Sequence, residues 1–240
     1  MKIVAIIGNG PLSEADRLFI GAADIVTRFN LVPEAHINLS ARTDELFLSC
    51  SSKQIGEYLA ERRYETDPCF QSASRIVLPY NPSIIAAHMP RPSFLSRLKG
   101  RRADWTEVCK KVAARLGKQV VVLSAADYRN ACIALGIEGR GRDFYPSSGY
   151  LAVARALNIH DPSTHRIHLF GFGFMGWKKH PWTAEEASIR TMHLQRKLKL
   201  HEVPNAVSQS GDVSGVHASG SQQKQVRTSW NTHTHKHDNG

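Results

Sequence analysis

Six short, apolar, β-branched runs, at residues 3–7, 25–28, 45–49, 75–79, 119–123 and 166–171, constrain this chain more than any other feature. Each has the length of a strand rather than of a buried helix. Between them lie segments of helical character, notably 53–63, 104–117, 125–135, 147–158 and 183–198. Strands that alternate with helices are joined by crossovers, so they run parallel and the helices cover both faces of the sheet. The expected fold is α/β, a single Rossmann-like domain with a mostly parallel sheet flanked by helices. Ligands of such sheets sit at the carboxyl ends of the strands, near a switch in strand order.

With 240 residues and 42% hydrophobic content, the chain can bury one sizeable core, expected within residues 1–204. From about residue 205 the composition shifts to Ser, Gln, Thr, Asn, Gly and His. So little apolar surface cannot offset the entropy of ordering, and 205–240 reads as a disordered tail. Its terminal Thr232-His-Thr-His-Lys-His237 can capture a divalent metal weakly. No apolar run approaches the roughly 20 residues of a membrane span, and the one after Met1-Lys2 is too short for a signal peptide. No integral membrane segment is expected, and the protein is placed in the cytoplasm. There Cys50, Cys69, Cys109 and Cys132, scattered without a C-x-x-C pair, are expected to be reduced and wholly or partly buried.

The formal charge of +10, from 31 Lys+Arg against 21 Asp+Glu, suits an anionic partner. Its densest cluster, Arg97-Leu-Lys-Gly-Arg-Arg102, reads as a solvated connector. It lacks the interleaved aromatic rings on which RNA bases stack, so nucleic acid is an unfavoured partner.

Two turns carry polar groups suited to a nucleotide. Gly8-Asn-Gly10 follows the first strand, but Ser13 stands where the third glycine of a dinucleotide fingerprint belongs. The acid that would hold a ribose is also misplaced, since Asp24 precedes the second strand and Arg28 and Asn30 close it. NAD is disfavoured. Two readings of the turn stay open. Either its glycines only relieve crowding while Ser13 caps a helix running through Leu18, or Asn9 and Asn30 offer amides to a base, ribose or phosphate.

The second turn is a basic, glycine-containing loop, 139–149, that runs into an amphipathic helix. Ser147 and Ser148 there can cap the helix or give hydroxyls to a phosphate that the helix dipole also favours. Downstream, His180 precedes Pro181 and is flanked by Trp177 and Trp182, which places it in a loop with restricted water access. A histidine so placed can serve as a general base near neutral pH. Thr183-Ala-Glu-Glu186 fits a capping box for the last helix, which would occupy Glu186 and leave Glu185 the freer of the two.

Taken in order over residues 3–190, these pieces resemble the sialylmotifs of the eukaryotic-type sialyltransferases, glycosyltransferase family 29. The large motif resembles Val4-Ala-Ile-Ile-Gly-Asn9 with Asp24-Ile-Val-Thr-Arg-Phe-Asn30 and Ser40-Ala-Arg-Thr43. The small motif is similar to Pro146-Ser-Ser-Gly149 with Leu169-Phe-Gly-Phe172, and the very small motif to His180 and Glu185. The resemblance implies a GT-A-like sialyltransferase variant of the fold. It implies a CMP-activated sugar donor, a glycan acceptor, and no cofactor or catalytic metal; the chain has no Asp-x-Asp motif. It assigns nucleotide contacts to Gly8, Asn9, Asn30, Ser147, Ser148 and Gly149, and deprotonation of the acceptor hydroxyl to His180. Two features depart from the family. Val4 and His160 stand where its linking disulfide has cysteines, and Phe174-Met-Gly-Trp177 does not match its tyrosine-rich third motif. Short bacterial proteins of this kind also carry the label of urease operon accessory protein, which keeps a non-enzymatic nickel-related role open as the alternative.

Overall fold

The computed structural model describes residues 1–89, 91–98, 102–141 and 143–203. The tail assigned to 205–240, with its histidine tract, lies outside the described residues. The first half of the sheet is built from β1 (Lys2–Ile7), β2 (Ile25–Phe29), β3 (Glu45–Phe47), β4 (Arg75–Leu78) and β5 (Gln119–Val122). The helices among them are α1 (Glu14–Gly21), α2 (Glu34–Leu39), α3 (Lys53–Ala60), α4 (Pro68–Ser72), α5 (Pro82–His88), α6 (Phe94–Leu98) and α7 (Thr106–Arg115). Then follow α8 (Ala125–Ala134), α9 (Ser148–Ile159), β6 (His165–Phe170), α10 (Trp182–Leu194) and β7 (Lys199–Leu200).

The seven strands form one sheet in the order β5-β4-β3-β2-β1-β6-β7. Every pairing is parallel, so the sheet is parallel throughout rather than mostly so. Alternation along a strand divides the core between two faces. From β1, Val4 and Ile6 join the cluster beneath α8 and α9, while Ala5 and Ile7 join the one beneath α1. Burial on both faces is why the inner strands read as continuous apolar runs.

The chain lays strands outward from β1 to β5, then returns to place β6 on β1's other side. The switch in strand order therefore falls between β1 and β6, and the crevice at their carboxyl ends is the favoured ligand position. The four cysteines are buried and unpaired. Among the described residues, no helix is long and apolar enough to cross a membrane.

The last helix differs from the expectation of 183–198. It stops at Leu194, the chain reverses with Arg196 in the left-handed region (φ 58°), and Lys199–Leu200 pairs with β6. Burial of Leu198 and Leu200 against the core favours this return over further helix.

Candidate active site

The turn after β1 is shaped by a backbone crossing. Gly8 N–H donates to the Phe170 carbonyl (2.7 Å) and Gly10 N–H to the Gly171 carbonyl (2.9 Å). A Cβ on Gly8 would collide with the Gly171 carbonyl oxygen, and one on Gly10 would lie 2.8 Å from it. Gly171 itself has φ 63°. Crowding thus requires both glycines here. His36, buried, bonds the Gly10 carbonyl through Nε2 (2.9 Å), and Ser13 caps α1 in a reciprocal capping box with Asp16. This helix runs to Gly21, past the expected Leu18. Asn9 is exposed, its amide 3.5 Å from the Leu31 carbonyl.

At the end of β2, Asn30 adopts φ 49°, a conformation that asparagine tolerates better than most residues. Its Oδ1 accepts from the Ser49 N–H (2.9 Å), and its Nδ2 lies 3.4 Å from the Ser148 hydroxyl. One side chain therefore ties the carboxyl ends of β2 and β3 to the N-terminus of α9. Within the segments that resemble the large motif, the arginines hold the scaffold. Buried Arg28 donates to the Ser40 and Arg42 carbonyls, and Arg42 to those of Ala23 and Asp24.

Ser147 is the N-cap of α9. Its Oγ accepts from the Tyr150 N–H (3.0 Å) and donates to Glu185 Oε2 (2.6 Å), while its own N–H donates to Glu185 Oε1 (2.7 Å). The hydroxyl is committed to structure, and Ser148 is the serine turned toward Asn30. Phe172, beyond β6, closes on Gly149, where a Cβ would lie 3.3 Å from its ring, and meets Phe29 edge-on at 6.3 Å.

The expected capping box at 183–186 is absent. The N-cap of α10 is Pro181, with no side-chain cap, and Glu186 is half-buried and pairs with Arg190 (2.9 Å). Glu185, expected to be the freer acid, is 2% exposed and bound to Ser147. Burial pushes its carboxyl above the ordinary range, and the two bonds from Ser147 pull it back.

His180 occupies the loop before α10. Its Nδ1 lies 2.8 Å from the Tyr145 carbonyl, an acceptor only, so Nδ1 carries the proton and the neutral ring presents a lone pair at Nε2. Trp177 and Trp182 meet the ring edge-on at 5.2 and 5.0 Å. Burial lowers its pKa, partly offset by the bond to Tyr145. Tyr145 lies flat against Trp177 (centroids 5.5 Å, 5° between planes) and donates its hydroxyl to the His88 carbonyl.

The sequence-predicted residues thus gather into one linked region. His180 holds Tyr145, two residues before Ser147, and Ser148 meets Asn30; Asn9 bonds Leu31, and Gly8 packs on Gly171. Tyr145, Ser49 and the bound form of Glu185 are the members that sequence reasoning missed. Their partners are distant in sequence and leave no local pattern.

No family model matches the chain. It is 24% identical over 210 residues, 83% of this chain and 93% of the other, to the urease operon 23 kDa accessory protein of Rhizobium meliloti strain 1021. A mammalian sialyltransferase crystallised with Gal-beta-1-3GalNAc-ortho-nitrophenol superposes with a TM-score of 0.51 at 16% identity, over 83% of this chain and 69% of that one. The two share a fold. The sialyltransferase CstII from Campylobacter jejuni, in complex with the substrate analogue CMP-3FNeuAc, gives a TM-score of 0.49 at 14% identity, over 85% of this chain and 80% of that one.

Proposed function

We propose that residues 1–204 form a cytoplasmic, sialyltransferase-like glycosyltransferase. It moves an acid sugar, sialic acid or Kdo, from a CMP-activated donor to a glycan hydroxyl with inversion and without a metal. The observation that carries this reading is the linkage of His180, through Tyr145, to the serine pair at the start of α9, and of that pair to Asn30 at the switch-point end of the sheet. On this reading a base and a set of neutral donors serve one site.

In this mechanism His180 Nε2 takes the acceptor hydroxyl's proton as the oxygen attacks the donor's anomeric carbon. The bond from that carbon to the phosphate oxygen breaks, and CMP leaves as a stable anion. The Ser148 hydroxyl, the Gly149 backbone and the amides of Asn9 and Asn30 hold the nucleotide, with the dipole of α9 favouring its phosphate. Ser147 and Glu185 position this group without touching the donor. Trp177, 46% exposed beside His180, offers an apolar face to the acceptor sugar.

Titration calorimetry of the full chain with CMP, using NAD and uridine diphosphate as comparators, tests the reading. Selective CMP binding is expected. Equal or absent binding of all three would sink the assignment of a CMP-sugar donor.

The name of the Rhizobium meliloti relative favours one second reading, a non-enzymatic accessory role in a nickel system, with 205–240 as the metal-binding segment. Full-length protein would then bind nickel and a chain ending at residue 204 would not. Full-length protein without nickel affinity would end this reading.

A further inference from the structure

Between Asp67 and Asp104 the sequence contains no acidic residue, while it carries Arg75, Arg91, Arg97, Lys99, Arg101 and Arg102. Arg75 belongs to the sheet, where it pairs with Glu45. The other five fall within twelve residues, 91–102, of which Lys99 and Arg101 lie outside the described residues. Arg91, Arg97 and Arg102 are exposed, and none has a carboxylate within ion-pair distance among the described residues.

The same segment holds the apolar side chains of α6. Phe94, Leu95 and Leu98 are 66%, 70% and 70% exposed, and no residue of this helix is buried. A single exposed leucine is ordinary, but three large apolar side chains on one short helix that contributes nothing to the core form a patch. The described residues before and after the helix are anchored in the fold. Met89 is buried before it, and after it the Trp105 N–H donates to the Cys50 carbonyl (2.8 Å) while Thr106 is buried. Arg97 lies over the Phe94 ring (5.9 Å) and Arg102 over the Trp105 ring (5.7 Å), which keeps cations beside the apolar groups.

We propose that α6, with Arg91, Arg97 and Arg102, docks the protein on an anionic lipid surface. The chemistry selects this occupant. Two leucines and a phenylalanine can enter the boundary between headgroups and acyl chains, while the surrounding cations stay at the phosphates. A nucleic acid would attract the cations but would leave Leu95 and Leu98 in water, since bases stack on planar groups and not on branched aliphatic ones. An apolar protein groove would accept the leucines and leave the unpaired arginines without partners. This surface does not depend on the proposed glycosyl transfer.

Co-sedimentation of the full chain with vesicles of phosphatidylcholine alone, or of phosphatidylcholine with an equal amount of phosphatidylglycerol, tests the proposal. Binding only to the anionic vesicles is expected, weakening as salt shortens the screening length. The double variant Leu95→Ser/Leu98→Ser should weaken binding about tenfold or more, and Arg97→Gln and Arg102→Gln about fivefold each. All four positions are exposed, so the thermal midpoints should match the parent chain. No anionic-vesicle binding, or binding that survives these substitutions because another segment supplies it, would overturn the proposal. So would RNA binding without vesicle binding, or a dimer that the double variant converts to monomer without any lipid affinity.

Discussion

Glu185 receives both hydrogen-bond donors of Ser147, its N–H at 2.7 Å and its hydroxyl at 2.6 Å, across 38 residues of sequence and inside the protein. This pair fixes the N-terminus of α9 to the first turn of α10. Glu185→Ala should leave two buried donors unpaired and cost about 3 kcal/mol, read as a fall in the urea midpoint. Glu185→Gln keeps one acceptor and should cost about 1–2 kcal/mol. Burial raises the folded pKa of Glu185 above its ordinary 4.5, so its contribution is complete below that pH and declines as pH rises through the folded pKa. The Gln variant should lack this decline. Equal stability of the Ala variant and the parent chain would contradict the arrangement.

His180→Ala should lower glycosyl transfer by about 10²–10⁴-fold and leave the CMP dissociation constant unchanged, because the ring faces the acceptor in the proposed mechanism. The neutral ring is the active form, and burial holds its pKa below the ordinary 6.5. Activity should therefore fall on the acid side, with a midpoint below pH 6.5 in kcat/KM. Turnover retained by the variant would remove His180 from the chemistry, and a midpoint above 6.5 would contradict its environment.

The inner strands were legible because burial on both faces writes continuous apolar runs, as in Val4–Ile7 and Ile76–Leu78. By contrast, β7 has two residues and α4 and α6 five each, too few to express a period. The candidate site was legible as an ordered set of turns. Its wiring was hidden, since Asn30 and Ser148 are 118 residues apart and Glu185 finds its partner across the fold. The start of α10 was misread as well. Thr183-Ala-Glu-Glu186 carries the letters of a capping box, but the helix already starts at Trp182, which puts Thr183 inside it, and Glu186 pairs with Arg190 while Glu185 turns to Ser147 across the fold.

Gly8 and Gly149 should part company when each gains a methyl group. Gly8→Ala places Cβ against the Gly171 carbonyl, backbone on backbone, and should cost more than about 3 kcal/mol or prevent folding. Gly149→Ala meets the Phe172 ring at 3.3 Å, which a small rotation relieves, and the Ser147 hydroxyl at an ordinary 3.5 Å, so its stability should change by less than about 1 kcal/mol. If the start of α9 holds the nucleotide, that variant should nonetheless lose about tenfold in CMP affinity, since the methyl blocks close approach of phosphate. Unfolding midpoints with calorimetry separate the two effects. A stable Gly8→Ala protein would refute the packing account.

His168 and His201, neither of which takes part in the proposed chemistry, offer a separate pH test. His168 Nδ1 and His201 Nε2 are 3.0 Å apart and the rings are stacked at 5.3 Å, so one nitrogen of the pair must remain unprotonated for the bond to exist. Burial, followed by the neighbouring His201 and Lys199, lowers the His168 pKa to about 4, and burial lowers that of His201 as well. Both shifts have the same sign. From pH 6.5 downward the unfolded chain takes up protons that the folded pair resists, so stability falls as pH falls toward 4. Solvent screening of these half-buried rings should reduce the full linkage value to roughly 1 kcal/mol over that interval. His168→Gln should be less stable than the parent near neutral pH, where the ring contacts are lost, and should show a shallower decline between pH 6.5 and 4. Chemical denaturation at a series of pH values gives both slopes, and parallel slopes would show that the pair does not resist protonation.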